Sequence, residues 1–125
     1  MDVCVIPGTL KTLQLTLSDK EWEKGVALSA AYLETYGLHK IKEFFTISSR
    51  EIAEESLESL TFNQISFMLF AFGVIDKKTC RCMQQVKKMR DRFTRGRIVA
   101  PKLHGKQCQS LIRRSMYILA TLGAT

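Results

Sequence analysis

The chain has 125 residues, enough for one domain with its own core and too few for two ordinary ones. A hydrophobic fraction of 46% and a charged fraction of 25% are those of a globular protein, and two prolines with seven glycines exclude long linkers. The formal charge of +7 conceals a split: residues 1–76 hold six Lys/Arg against eleven Asp/Glu, net −5, whereas residues 77–125 hold thirteen Lys/Arg against the single Asp91, net +12.

Such halves can pack on one another, within a chain or between two, or leave a basic face that attracts a polyanion. No stretch combines a basic start, a long apolar run and a small-residue cleavage site. The longest apolar run, residues 65–75, is half of the roughly 20 residues a membrane helix requires. A cytoplasmic protein is expected, with Cys4, Cys80, Cys82 and Cys108 reduced. Cys80 and Cys82 would stand about 200° apart on a helix. With only His39 and His104 to add, the sequence implies no metal site and no cofactor.

In chain order, Pro7 and Gly8 precede TLKTLQLTL, whose alternation predicts a short strand or an extended arm over residues 1–17. No partner strand follows, so an arm lying on the domain is expected. Ser18 with Glu21 has the capping-box spacing and opens a long helix over residues 20–45. Its apolar positions are Trp22, Val26, Ala30, Leu33, Tyr36, Ile41 and Phe44, with a kink or break expected at Gly37. Ser48 with Glu51 opens a short helix containing Ile52, Leu57 and Leu60, and carrying Glu51, Glu54, Glu55 and Glu58 on one side. Thr61 with Gln64 opens another, running to Phe72, in which FMLFAF (residues 67–72) reads as the most buried helical segment. Gly73 ends it in a left-handed conformation.

Asp76 caps the next helix, DKKTCRCMQQVKKMRDRFTR, residues 76–95. Thr79, Met83, Val86, Arg90 and Phe93 recur at steps of four, three, four and three, the spacing of one buried stripe. A guanidinium at Arg90 would lose hydration there, and a buried carboxylate, a phosphate or a wet cleft must replace it. The alternative is that Arg90 snorkels from the stripe's edge or pairs with a glutamate of another helix. Gly96 stops the helix, and residues 97–105 connect to a last helix at about 106–122, with Cys108, Leu111, Ser115, Leu119 and Leu122 on its buried face and Arg113 and Arg114 in solvent. The expected fold is all-α: an antiparallel bundle of four to five helices over residues 18–125.

A short helix, the ending FGVID, a Lys/Arg-rich helix closing in Arg-polar-x-x-x-x-Gly, a loop and a final amphipathic helix form an order that resembles the HEPN superfamily (higher eukaryotes and prokaryotes nucleotide-binding). The resemblance runs from about Trp22 through Leu122, includes ALSAAYLETY (residues 27–36), and is most specific in GVIDKKTCRCMQQVKKMRDRFTRG (residues 73–96). It implies a small helical domain that dimerises. In catalytic members it also implies RNA cleavage at a cleft between protomers by an arginine, a polar residue and a histidine four to six positions after the arginine. Here Arg90 and Asp91 take the first two places, and Arg95 stands where the histidine would be. An arginine holds a phosphate but accepts no proton from a ribose hydroxyl.

Independently of that resemblance, Arg90, Arg92, Arg95, Arg97 and Lys102 fall within thirteen residues around a helix end and loop, with Phe93 among them, so several cations can converge on phosphates. Taken together with what the resemblance implies, three readings follow. In the first, a dimer cleft binds RNA, a nucleotide or another anionic ligand through Arg90 and Arg95, oriented by Asp91 and joined by Arg97 and Lys102, without cleavage. The second is a metal-independent endoribonuclease of toxin type, with Arg90 at the reacting phosphate and His104 or His39 as proton carrier. The third is a regulatory module whose basic half docks an acidic protein, antitoxin-like or nucleotidyltransferase-like. None involves a membrane.

Overall fold

The computed structural model describes residues 8–44, 55–96 and 104–125. Its long helices are α1 (Thr9–Ser18), α2 (Trp22–Lys42), α3 (Phe62–Ala71), α4 (Lys77–Thr94) and α5 (Gly105–Thr121). Residues 55–57 add one helical turn before α3, and no strand occurs among the described residues. The all-α bundle expected from the sequence is therefore present. No described helix is long and apolar enough to cross a membrane.

α2 is the centre of the bundle and packs against α1, α3, α4 and α5. Its Val26, Ala30, Leu33, Tyr36 and Ile41 are buried, as their spacing predicts. Phe44, expected on the same face, is 53% exposed. The helix also runs through Gly37 without a break, because that glycine serves packing. A Cβ there would stand 2.9 Å from Cγ2 of Ile65 and 3.1 Å from Cδ1 of Leu69, so its absence lets α3 approach the α2 backbone. Gly25 does the same at the other end of α2, where a Cβ would collide with Cδ1 of Ile112 and stand 2.7 Å from Oγ1 of Thr16.

Residues 9–18 are helical rather than extended. TLKTLQLTL satisfies both periods, since Leu13, Leu15 and Leu17 alternate while Leu10, Leu13 and Leu17 step by three and four. The helical period wins because α1 has α2 and α5 to pack on: Leu13 and Leu17 are buried and Leu15 is 53% exposed. The Thr9 hydroxyl and the Tyr36 hydroxyl share a buried hydrogen bond of 3.3 Å across α1 and α2. Residues 1–7 lie outside the described residues.

The helix starts divide by chemistry. Thr61 forms a complete capping box: its hydroxyl accepts from the Gln64 amide at 3.2 Å, and the Gln64 side chain accepts from the Thr61 amide at 2.9 Å. Ser18 and Glu21 do not form one. Ser18 ends α1, donating its hydroxyl to the Gln14 carbonyl at 3.1 Å. A tight turn with Lys20 at φ 55° then leads to Glu21, whose amide donates to the Thr16 carbonyl at 2.9 Å. The start expected at Ser48 and Glu51 lies outside the described residues, as do Ile52 and Glu54, while Glu55 and Glu58 are exposed.

α3 differs most from expectation. Phe62, Ile65, Ser66 and Leu69 face the core, but Phe67 is 61% exposed and Phe70 and Phe72 are 39% and 40% exposed. Phe72 stacks on Phe44 with ring centroids 4.8 Å apart, while Phe67 and Phe70 face solvent from other sides of the helix. Gly73 ends the helix at φ 76°, as expected.

Candidate functional site

Asp76 opens α4. Its Oδ1 accepts from the Thr79 amide at 2.7 Å, and that hydrogen bonding holds the carboxyl below the usual carboxylate range. Cys80, Cys82, Met83, Val86 and Met89 form the buried face of the helix. The inward face shares Met83 and Val86 with the stripe expected, whereas Thr79, Arg90 and Phe93, nearer the helix ends, are half-buried.

Arg90 reaches back over α3. Its Cζ stands 5.9 Å from the centre of the Phe62 ring, within cation–π range. Its Nε and one terminal nitrogen are each 3.4 Å from Oδ1 of Asp91. The side chain is 29% exposed, so a ring face, a neighbouring carboxylate and partial hydration together replace what burial removes. This is the edge arrangement, with Asp91 of the same helix as the anionic partner in place of a glutamate from elsewhere. Asp91 also pairs with Lys87 at 3.3 Å. Burial works to raise its carboxyl, but the hydrogen bond and charge of Lys87, together with Arg90, outweigh burial and leave it below its ordinary value.

The other cations of α4 point elsewhere. Lys78, Arg81, Gln85, Lys88, Arg92 and Arg95 follow one another at steps of three, four, three, four and three, a continuous stripe about 26 Å long at helical rise. Opposite it α5 presents Gln107, Ser110, Arg114 and Tyr117 at the same spacing. The two helices pack antiparallel, so that Gln85 meets Arg114 in the middle. Three adjoining hollows lie along the α4 stripe, the first two between α4 and α5 and the third on the α4 side alone. The first, of about 710 Å³, lies between Arg81 and Tyr117 over Cys82 and Ile118. The second, about 350 Å³, lies between Lys88 and Ser110 over Met89 and Leu111. The third, about 170 Å³, lies among Lys88, Asp91, Arg92 and Arg95. Gln85 and Arg114 border the first two, and Lys88 and Arg92 the last two, which makes the three a single groove.

Seven cations, Lys77, Lys78, Arg81, Lys88, Arg92, Arg95 and Arg114, border this groove against two carboxylates, Asp76 and Asp91. Asp91 already serves Lys87 and Arg90. Among the described residues every ion pair is local, and none joins the acidic half of the chain to the basic half. Among the described residues the groove's counter-charge is thus limited to Asp76 and Asp91. Arg114 also leans over the Cys82 thiol: burial pushes that thiol up, and the guanidinium partly counters it.

Of the residues singled out from sequence, Arg95 borders the groove together with Asp91, while Arg90 turns away from it toward Phe62. His104 is the residue before α5, makes no capping hydrogen bond and borders none of the three hollows. His39 lies on α2, 3.6 Å from Glu43. Arg97 and Lys102 lie outside the described residues. Cys80, Cys82 and Cys108 are free buried thiols, and no three His, Cys, Asp or Glu side chains gather to hold a metal ion among the described residues. Lys78, Arg81, Lys88 and Arg114 were missed as members of one site. Their three–four spacing is visible in the sequence, but nothing there shows that α4 and α5 are neighbours.

Compared with protein-family models, curated proteins and solved structures, the chain finds no match in any of the three.

Proposed function

We propose that the protein binds RNA as a polyanion along the groove between α4 and α5. The observation that carries this reading is the excess of cations in line: Arg81, Lys88 and Arg92 on one wall and Arg114 on the other, at a spacing that follows a backbone rather than a point charge. The resemblance to HEPN domains points the same way, although the groove belongs to a single chain. Arg90, held by Phe62 and Asp91, supports the groove's end from behind and does not itself receive the ligand.

Binding without cleavage fits these residues best, since the groove's border carries no histidine. Fluorescence anisotropy with a labelled RNA at low salt tests the reading. Lys88→Glu with Arg92→Glu should abolish most of the affinity, and Lys20→Glu with Lys24→Glu, outside the groove, should leave it nearly intact. Equal losses in the two pairs, or no binding by the wild type, would refute it. Cleavage of the same RNA by the wild type but not by His104→Ala would instead favour the endoribonuclease.

The exposed, stacked rings of Phe44 and Phe72 favour a second, compatible reading in which this side pairs with another copy of the chain. Sedimentation should then show a dimer that Phe72→Glu dissociates. A wild-type monomer at all concentrations would remove this reading and leave the groove untouched.

A further inference from the structure

The three hollows of the groove differ in kind. The two nearer the C-terminus of α4 are small and have no aromatic border; Lys88 and Arg92 border both, which suits phosphates. The head of the groove is about 710 Å³, within the size range of ligand pockets. Its floor is the thiol of Cys82 and the side chain of Ile118, both buried, and its rim is the ring of Tyr117, 75% exposed. A flat aromatic ring beside an apolar floor, with Arg81 and Arg114 at its sides, offers stacking and cation–π contacts to a planar heterocycle. Asp76 also borders this hollow. With Thr79 holding its carboxyl ionised, it repels a phosphate and accepts hydrogen bonds from the N–H groups of a base edge.

We propose that the cavity between Tyr117 and Arg81 takes one unstacked nucleobase, so that the polyanion of the groove is single-stranded, its backbone lying along Lys88, Arg92 and Arg95. This rests on the groove reading and adds to it, because a basic groove alone would accept a duplex as readily. A duplex keeps its bases paired and cannot enter the cavity. The base contact depends on the Tyr117 ring and not on its hydroxyl, since stacking uses the π-face.

The experiment compares three labelled probes of about sixteen nucleotides, within the span one small domain covers: a strand without self-complementarity, the same strand annealed to its complement, and a phosphate-matched strand of abasic spacers. On the single strand, Tyr117→Ala should weaken binding by about 5- to 150-fold, the value of one stacked base, while Tyr117→Phe should bind like the wild type. On the duplex and the abasic strand all three proteins should bind alike and more weakly. If Tyr117→Ala leaves the single-strand affinity unchanged while Lys88→Glu with Arg92→Glu still removes it, the base cavity is refuted and the groove stands. Equal weakening by Tyr117→Ala on all three probes also refutes the cavity, and failure of the wild type to bind any probe removes both.

Discussion

If Lys88 and Arg92 contact phosphates, their replacement must change how binding responds to salt as well as how strong it is. Six stripe cations, Lys78, Arg81, Lys88, Arg92, Arg95 and Arg114, can each neutralise one phosphate. For a single strand the logarithmic salt slope is about −0.7 per contact, so the wild type should show about −4 and lose about 300-fold in affinity between about 50 mM and about 200 mM salt. Lys88→Gln with Arg92→Gln leaves four contacts, a slope of about −3 and a loss of about 50-fold over the same range. The affinity gap between the two proteins should therefore narrow by about sevenfold as salt rises. Anisotropy titrations at four salt concentrations measure this directly. A variant that binds weakly with the wild-type slope would show that the two residues act through folding. A wild-type slope near zero would exclude a phosphate-tracking groove altogether.

Further outcomes concern the scaffold that holds the groove. Ser29 is fully buried in α2 and its hydroxyl finds no hydrogen-bond partner among the described residues, so Ser29→Ala should stabilise the protein by about 1 kcal/mol in urea unfolding; a loss of stability would mean the hydroxyl is satisfied. Gly25→Ala must force the added methyl against Ile112 and Thr16, costing about 1–3 kcal/mol of overpacking against about 1 kcal/mol gained in helix propensity, and a raised melting temperature would contradict the close approach. Asp76 has a folded pKa depressed below 3.8, so its capping contribution is fully present above that value and disappears as pH falls through the lower folded pKa. Asp76→Asn should keep the cap and remove this acid sensitivity, whereas Asp76→Ala should lower the melting temperature at neutral pH; indistinguishable acid-unfolding curves for the wild type and Asp76→Asn would refute the assignment.

What the sequence made legible was local. Thr61 with Gln64, Asp76 with Thr79, and Gly73 each act within one turn of chain, and each does what its residue type predicts. The buried face of α5, Cys108, Leu111, Ser115, Leu119 and Leu122, is likewise set by one period along one helix. Ser18 with Glu21 failed because the same residues had a competing use, closing the turn that follows α1. Gly37 was misread because a glycine that admits a neighbour's side chains looks, in sequence, like one that ends a helix. Phe67 and Phe70 of α3 point outward, unlike Phe62, although the segment's composition reads as core, since composition does not say which side of a short apolar helix is covered.

The candidate site follows the same division. The stripe containing Arg90 holds at its centre, Met83 and Val86, but Thr79, Arg90 and Phe93 are only half-buried, and Cys80, Cys82 and Met89 widen the apolar face instead. A charge at the edge of such a face can satisfy itself with the next residue, Asp91, and a ring from another helix, Phe62, which no spacing rule anticipates. The concentration of cations after residue 76 was plain from counting. Their alignment with Arg114 and Tyr117 arises only when α4 and α5 pack antiparallel.

A nucleic-acid backbone lying between α4 and α5 can be located residue by residue in a chain of 14.3 kDa. In a two-dimensional NMR titration with single-stranded RNA, amide shifts should concentrate at Arg81, Gln85, Lys88, Arg92, Arg114 and Tyr117, with α1 and the outer side of α2 unmoved. Shifts centred instead on Phe67 and Phe70, or on His104 and Trp22, would contradict it.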